Sequence, residues 1–84
     1  MNINLIAESF DFKTQFEFIH FDKIEDKPKT SVWNCVNNKS GTSLGIIKWY
    51  AQWRQYCFFP SEQTIFSLGC LKDITTFIEQ LKAK

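Results

Sequence analysis

The sequence predicts an α+β domain, in which an antiparallel sheet of three to five strands is followed by a C-terminal amphipathic helix packed on one face. Short segments rich in aromatic and β-branched residues alternate with turn-forming residues, as in a sheet of consecutive strands. The last segment instead carries apolar residues at helical spacing. With 84 residues, 44% of them hydrophobic and 17% aromatic, the chain has enough apolar material for one core. We therefore expect a single domain over residues 1–84.

The first 12 residues fit two conformations. Their apolar positions match a short helix (Ile3, Ile6, Ala7, Phe10) or an alternating strand (Ile3, Leu5, Ala7). We expect an irregular arm or a short helix that leads into the first strand.

Residues 16–21 are predicted to form that strand because they are dense in aromatic side chains. Apolar groups on both of its faces suggest that it is covered on both sides. The following segment, residues 22–30, is charged and contains Pro28, which favours a loop.

A hairpin is predicted next, with strands at residues 32–36 and 44–50. The turn between them contains Asn37, Asn38 and Gly41, residue types that tolerate positive φ. A further strand over residues 53–59 is expected to end at Pro60, which has no N–H for the ladder. Residues 64–66 fit a short extra strand or an extended approach to the helix.

The helix is predicted from an apolar stripe that comprises Leu71, Ile74, Phe77, Ile78 and Leu81. Ser67 is a suitable residue to cap its start. The stripe needs a surface to cover, and the sheet provides it.

Charge and cysteine content restrict the function classes. A formal net charge of +1 argues against a protein that binds polyanions by bulk charge, although residues 31–60 carry Lys39, Lys48 and Arg54 and no acid. Three cysteines without close pairing, together with no signal-peptide pattern and no long apolar run, predict a cytoplasmic protein with reduced thiols and no membrane association.

The most distinctive segment, residues 47–60, combines Trp and Tyr rings with two cations. Six of its residues form the tentative binding set: Lys48, Trp49, Tyr50, Trp53, Arg54 and Tyr56. Strand alternation predicts Lys48 and Tyr50 on one face and Trp49 on the other, with Arg54, Tyr56 and Phe58 sharing a face. Aromatic pairs of this kind also simply stabilise small sheets.

A single helix shields one face of a sheet, so we expect aromatic groups on the other face to be available for recognition. The first hypothesis is a small non-enzymatic interaction module, encoded by a mobile element, that binds a protein partner or a second copy of itself. The alternative is a nucleic-acid-binding domain in which the same six residues stack on bases and contact phosphates.

Catalytic and metal sites are not predicted. His20 and the cysteines Cys35, Cys57 and Cys70 lack the close ligand pairs of zinc sites, and no cysteine has a recognisable nucleophile context. Gly41 and Gly45 do not form a phosphate-binding loop before a helix. We therefore expect no enzyme activity and no cofactor.

The chain from Val32 to Leu81 resembles a family of small bacterial and phage-type proteins. The resemblance rests on Val32, Trp33, Asn37, Leu44 and Gly45, and on the pattern IKWY…WRQYCFFP…CLxDIxxFIxxL from Ile47 to Leu81. It implies a mobile-element or accessory context and brings no activity with it.

Overall fold

The computed structural model describes residues 12–83, which form a four-stranded antiparallel sheet and one helix. The strands are β1 (Ile19–Asp26), β2 (Ser31–Asn37), β3 (Ser43–Tyr50) and β4 (Gln55–Pro60), and the helix is α1 (Leu68–Lys82). The strands lie side by side in chain order, so β1 and β4 are the two edges. The predicted fold class is confirmed. Except for Phe12, the predicted N-terminal arm lies outside the described residues.

The first strand is shifted toward the C-terminus relative to its prediction over residues 16–21. The chain reverses before it, where the N–H of Phe16 donates to the Ile19 carbonyl oxygen at 2.9 Å. This reversal buries Phe16 in the core and leaves Phe18 54% exposed. The charged segment predicted as a loop instead pairs with β2 as far as Asp26, because an edge strand can keep its charged side chains in water while its backbone pairs.

The predicted hairpin is present as β2 and β3. The Asn37 side-chain oxygen accepts hydrogen bonds from the N–H groups of Lys39 and Ser40 at 2.8 and 3.0 Å. Gly41 has φ +76°, a conformation that glycine adopts without steric cost. The Asn-rich sequence therefore encodes this turn locally.

The fourth strand begins two residues later than predicted. Residues 51–54 form a turn in which the N–H groups of Trp53 and Arg54 donate to the Tyr50 carbonyl oxygen at 3.1 and 2.9 Å. Arg54 has φ +55°, which is incompatible with an extended strand. Residues 64–66 form no strand and lead irregularly into the helix.

Helix α1 packs its buried stripe on the sheet face that carries Phe21 and Trp33. Phe77 is fully buried, and Ile74 and Leu81 are buried on either side of it. The predicted cap is confirmed, since the Cys70 N–H donates to the Ser67 hydroxyl at 3.2 Å. The predicted place of Leu71 in the stripe is wrong: this side chain is 48% exposed, and Cys70 packs against the core instead.

Candidate interaction surfaces

The strand register distributes the six residues of the predicted binding set over two faces and a turn. Trp49 pairs with Tyr56, and both lie on the helix-side face because they alternate in step with the buried Ile47. Lys48 and Tyr50 lie on the opposite face, as predicted. Trp53 and Arg54 lie in the turn before β4, so the expectation that Arg54 shares a strand face with Tyr56 and Phe58 is wrong.

The face opposite the helix carries an aromatic group that we call the open-face cluster (Lys48, Tyr50, Trp53 and Phe59). Tyr50 contacts Trp53 and Phe59 edge-to-face, with ring centroids 5.2 and 5.9 Å apart. The Lys48 ammonium lies 4.9 Å from the Phe59 ring centroid, in a cation–π contact. Trp53 is 66% exposed. These rings therefore stabilise one another while they remain accessible to solvent.

A groove of about 930 Å³ lies on the other side, at the end of the sheet where β3 leads into β4. The residues that line it come from all four strands, the β1–β2 loop, the β3–β4 turn and the end of α1. They include Lys23, Lys27, Lys29, Trp33, Trp49, Arg54, Tyr56 and Lys82. We call it the basic groove. It brings three members of the predicted binding set together with Lys23, Lys27 and Lys29 of the segment that the sequence predicts as a loop.

Hydrogen bonds hold the aromatic floor of the basic groove in place. The Tyr56 hydroxyl accepts from the Ser31 N–H at 3.2 Å, and the Trp33 indole N–H donates to the Ser31 hydroxyl at 2.7 Å. Trp49 meets Tyr56 edge-to-face at 5.5 Å and is 42% exposed. The floor is therefore preorganised, with one indole reaching into solvent.

The two edges of the sheet differ in chemistry. Edge β1 carries charged side chains, and its register shifts at a bulge between Lys23 and Glu25. Its start is also covered, because the Phe21 N–H donates to the Thr14 carbonyl oxygen at 2.9 Å. Edge β4 has the sequence QYCFFP, with no charged residue. Charges and bulges are the features by which natural sheets block edge-to-edge pairing, and β4 lacks both.

One hydrogen bond just beyond the end of β4 shows which residues of this strand direct their N–H groups toward β3. The Ser61 N–H donates to the Leu44 carbonyl oxygen at 3.0 Å, which makes these two residues a hydrogen-bonded pair. Because bonded and non-bonded pairs alternate, the N–H groups of Tyr56 and Phe58 point away from β3. Pro60 falls in the same outward set, so its missing N–H costs the sheet no bond.

Cys35 and His20 lie in different surroundings. Burial, with a smaller contribution from Cys70, raises the pKa of the Cys35 thiol to about 12. His20 contacts the side chains of Asn38 and Asp22. Within residues 12–83, no three His, Cys, Asp or Glu side chains are grouped closely enough to hold a metal ion. No helix in this part of the chain is long and apolar enough to cross a membrane.

Comparison with known proteins identifies a phage relative. No protein-family model and no solved structure matches the chain. An uncharacterized 9.3 kDa protein of Acholeplasma phage L2 is 35% identical over 66 residues, a match that covers 77% of this chain and 85% of the relative. The predicted kinship with a phage-type protein is confirmed at this level. The chain belongs to the family of this 9.3 kDa phage protein.

Proposed function

We propose that the chain is a small non-enzymatic interaction domain that pairs with a second copy of itself through the edge strand β4. The observation that carries this proposal is the contrast between the two edges. Edge β1 is charged, bulged and partly covered, whereas β4 is uncharged and its outward backbone groups have no hydrogen-bond partner among residues 12–83. A free edge of this kind is a template for another strand.

The outward groups of β4 are complementary to themselves about a two-fold axis at Cys57. Antiparallel pairing about this axis places Tyr56 opposite Phe58 of the second copy, and Phe58 opposite Tyr56 of the second copy. Each of the two pairs forms two backbone hydrogen bonds, and each brings two aromatic rings together on the helix-side face. The two Cys57 residues then form the central non-bonded pair on the open face.

A closed dimer follows from having one free edge per subunit. Once the two β4 edges pair, the edges that remain are the two charged β1 strands, which resist further addition. Pro60 limits the new ladder to the centre of the strand because it supplies no N–H.

The free energies of the new contacts predict a weak, reversible dimer. Each new hydrogen bond contributes about 0.5–1.5 kcal/mol, and each cross-strand aromatic pair adds about 0.2–1 kcal/mol. Association itself costs at least about 4 kcal/mol in lost translational and rotational freedom. The four bonds and two pairs together supply at most about 8 kcal/mol, so we expect a dissociation constant in the millimolar range.

Sedimentation velocity in reducing buffer tests this proposal across a concentration series from about 0.1 mM to 5 mM, which brackets the expected affinity. The wild-type protein is expected to shift from monomer to dimer. Cys57→Lys should abolish the shift because it places two like charges opposite each other at the axis. Ile46→Lys, which adds the same charge on the same face but one strand away from the edge, should still dimerise.

A mixture of Cys57→Lys and Cys57→Glu provides the decisive control. Neither variant should dimerise alone, and an equimolar mixture should regain dimer because opposite charges then face each other. Loss of folding would not be rescued by mixing. A wild-type protein that stays monomeric throughout the series contradicts the proposal.

The proposal also assigns a structural role to the sequence pattern on which the family resemblance rests. The segments IKWY and WRQYCFFP form β3, the following turn and β4. We propose that this pattern builds the pairing edge and the strand that supports it.

A further inference from the structure

The basic groove lies on the helix-side face of the sheet and has an excess of positive charge. Five cations and one acid, Asp26, line it. Lys23 is engaged, since its ammonium lies 3.4 Å from the Asp26 carboxylate and 5.3 Å from the Trp33 ring centroid. The other four cations form no salt bridge within residues 12–83, and they are Lys27, Lys29, Arg54 and Lys82. The groove therefore concentrates uncompensated charge on a protein of net charge +1.

The cations surround rings rather than an aliphatic floor. Trp49 and Tyr56 lie at the base of the groove, and Trp49 is exposed enough to receive a planar group on its indole. Hydrogen bonding of Tyr56 to Ser31 fixes one side of this floor before any ligand arrives. Aromatic rings flanked by Lys and Arg are the combination with which proteins hold unpaired bases and their phosphates.

Three classes of anionic ligand can be compared. An acidic peptide would pair with the cations of the basic groove but would leave the exposed Trp49 indole without a planar partner. A nucleic-acid duplex would present phosphates, but its bases are already stacked and are not available to Trp49. A single strand supplies both groups at once. The shape, charge and aromatic floor of the groove therefore favour this ligand class.

We infer that the basic groove binds single-stranded nucleic acid, with Lys27, Lys29, Arg54 and Lys82 contacting phosphates and a base stacking on Trp49. The contact set differs from the one predicted from sequence. Lys48, Tyr50 and Trp53 belong to the open-face cluster and do not line the groove. Lys27 and Lys29 of the β1–β2 loop are part of the contact set instead. The inference does not depend on β4 pairing, so failure of one leaves the other standing.

Fluorescence anisotropy with a labelled oligothymidylate and a labelled oligouridylate tests the inference. At about 50 mM salt we expect saturable binding to at least one of them, and affinity that falls steeply as salt is added. For single strands the slope of log K against log salt is about −0.7 per phosphate contact, so four contacts predict a slope of about −3. A labelled oligoglutamate peptide of equal charge should bind at least about tenfold more weakly, because it offers the charge without a planar group.

Two double variants with identical net charge distinguish binding in the groove from nonspecific attraction between the protein's total charge and the oligonucleotide. Lys27→Glu combined with Lys29→Glu should weaken oligonucleotide binding at least about tenfold and make the salt slope less steep by about 1.4. Lys39→Glu combined with Lys48→Glu changes charges in the β2–β3 turn and on the open face, and should change affinity by less than about threefold. Equal weakening by both pairs would overturn the inference.

A stacking role for Trp49 has its own readout. Oligonucleotide binding should quench its fluorescence in a Trp53→Phe background. Trp49→Leu should weaken binding about 5- to 150-fold, whereas Trp49→Tyr, which keeps an aromatic ring, should retain most of the affinity. No binding to either oligonucleotide, tighter binding of the oligoglutamate, or equal loss with Leu and Tyr at this position would each contradict the inference.

Discussion

Phe77 of α1 stacks face to face on Phe21 of β1, with ring centroids 4.0 Å apart and planes inclined by 6°. Trp33 meets the same Phe77 ring edge-on at 5.0 Å. This aromatic junction fixes the helix on one side of the sheet. The opposite side keeps its open-face cluster exposed, as the sequence argument from a single helix requires.

Removal of the junction is expected to unfold much of the protein population. Phe77→Ala should lower the free energy of unfolding by about 3–5 kcal/mol, because it removes a fully buried ring and leaves a cavity beside Phe21 and Trp33. Urea unfolding followed by circular dichroism measures the loss. Ile65→Ala is the control, since this side chain is 91% exposed and should change stability by less than about 0.5 kcal/mol. Similar losses for the two variants would contradict the assigned core.

Gly45 is required because the Phe58 ring packs over it. A Cβ atom at this position would lie 2.6 Å from both the Phe58 ring and the Phe59 carbonyl oxygen. Gly45→Ala should therefore lower the free energy of unfolding by about 1–3 kcal/mol or more. Gly69→Ala, where the nearest atom is 3.8 Å away, should leave stability unchanged or raise it by up to about 1 kcal/mol. Thermal melts of both variants provide the comparison.

The buried thiol of Cys35 predicts a loss of stability at high pH. Its pKa is raised from the ordinary value of 9.0 to about 12 in the folded protein, mainly by burial and then by Cys70. The folded state therefore favours the neutral thiol. This contribution is complete below pH 9 and is lost as the pH rises toward 12, with a slope of up to about 1.4 kcal/mol per pH unit.

Urea unfolding of wild type and Cys35→Ala between pH 8 and pH 11 tests this linkage. The stability difference between them should narrow as the pH rises, because only the wild type has to keep this thiol protonated. At pH 8 a thiol reagent should modify Cys57 and Cys70 before Cys35 in the native protein. Rapid labelling of Cys35 without unfolding would contradict its burial.

The three tryptophans should respond differently to collisional quenchers. Trp33 is 7% exposed, Trp49 42% and Trp53 66%. Iodide should therefore quench Trp49 and Trp53 and leave the fluorescence of Trp33 largely intact. Caesium should quench Trp49 less than iodide does, because the cations of the basic groove repel it. Single Trp→Phe variants assign each component, and equal quenching of Trp49 by both ions would argue against a basic groove.

Local signals explain which parts of the fold were predictable. The β2–β3 turn was predictable because Asn37 and Gly41 encode it through their own hydrogen bonds and φ preference. The helix and its Ser67 cap followed from spacing and one hydroxyl. The start of β1 was missed because the reversal at residues 16–19 depends on tertiary burial of Phe16. The charged end of β1 was missed because backbone pairing at an edge does not require an apolar pattern.

The candidate sites were predictable only in part, for a similar reason. The aromatic content of residues 47–60 was visible, but its division between two faces depends on where the β3–β4 turn ends. Arg54 adopts positive φ there, although the residue itself does not signal it. Lys27 and Lys29 join the basic groove because the fold places the β1–β2 loop close to the β3–β4 turn, and these two segments are far apart in the sequence. The absence of charge in β4 was available in the sequence and is the signal that points to a pairing edge.

Disulfide trapping at Cys57 tests the pairing of β4 edges most directly. The proposed axis places the two Cys57 Cα atoms about 4.5 Å apart, within the range that a disulfide spans. In a Cys70→Ala background, mild oxidation of the native protein is expected to yield a covalent dimer. Gln55→Cys combined with Cys57→Ser moves the thiol along the same face to a position about 13 Å from its copy and should yield none. A native protein that forms no Cys57 dimer, or that cross-links equally well through position 55, would contradict the account.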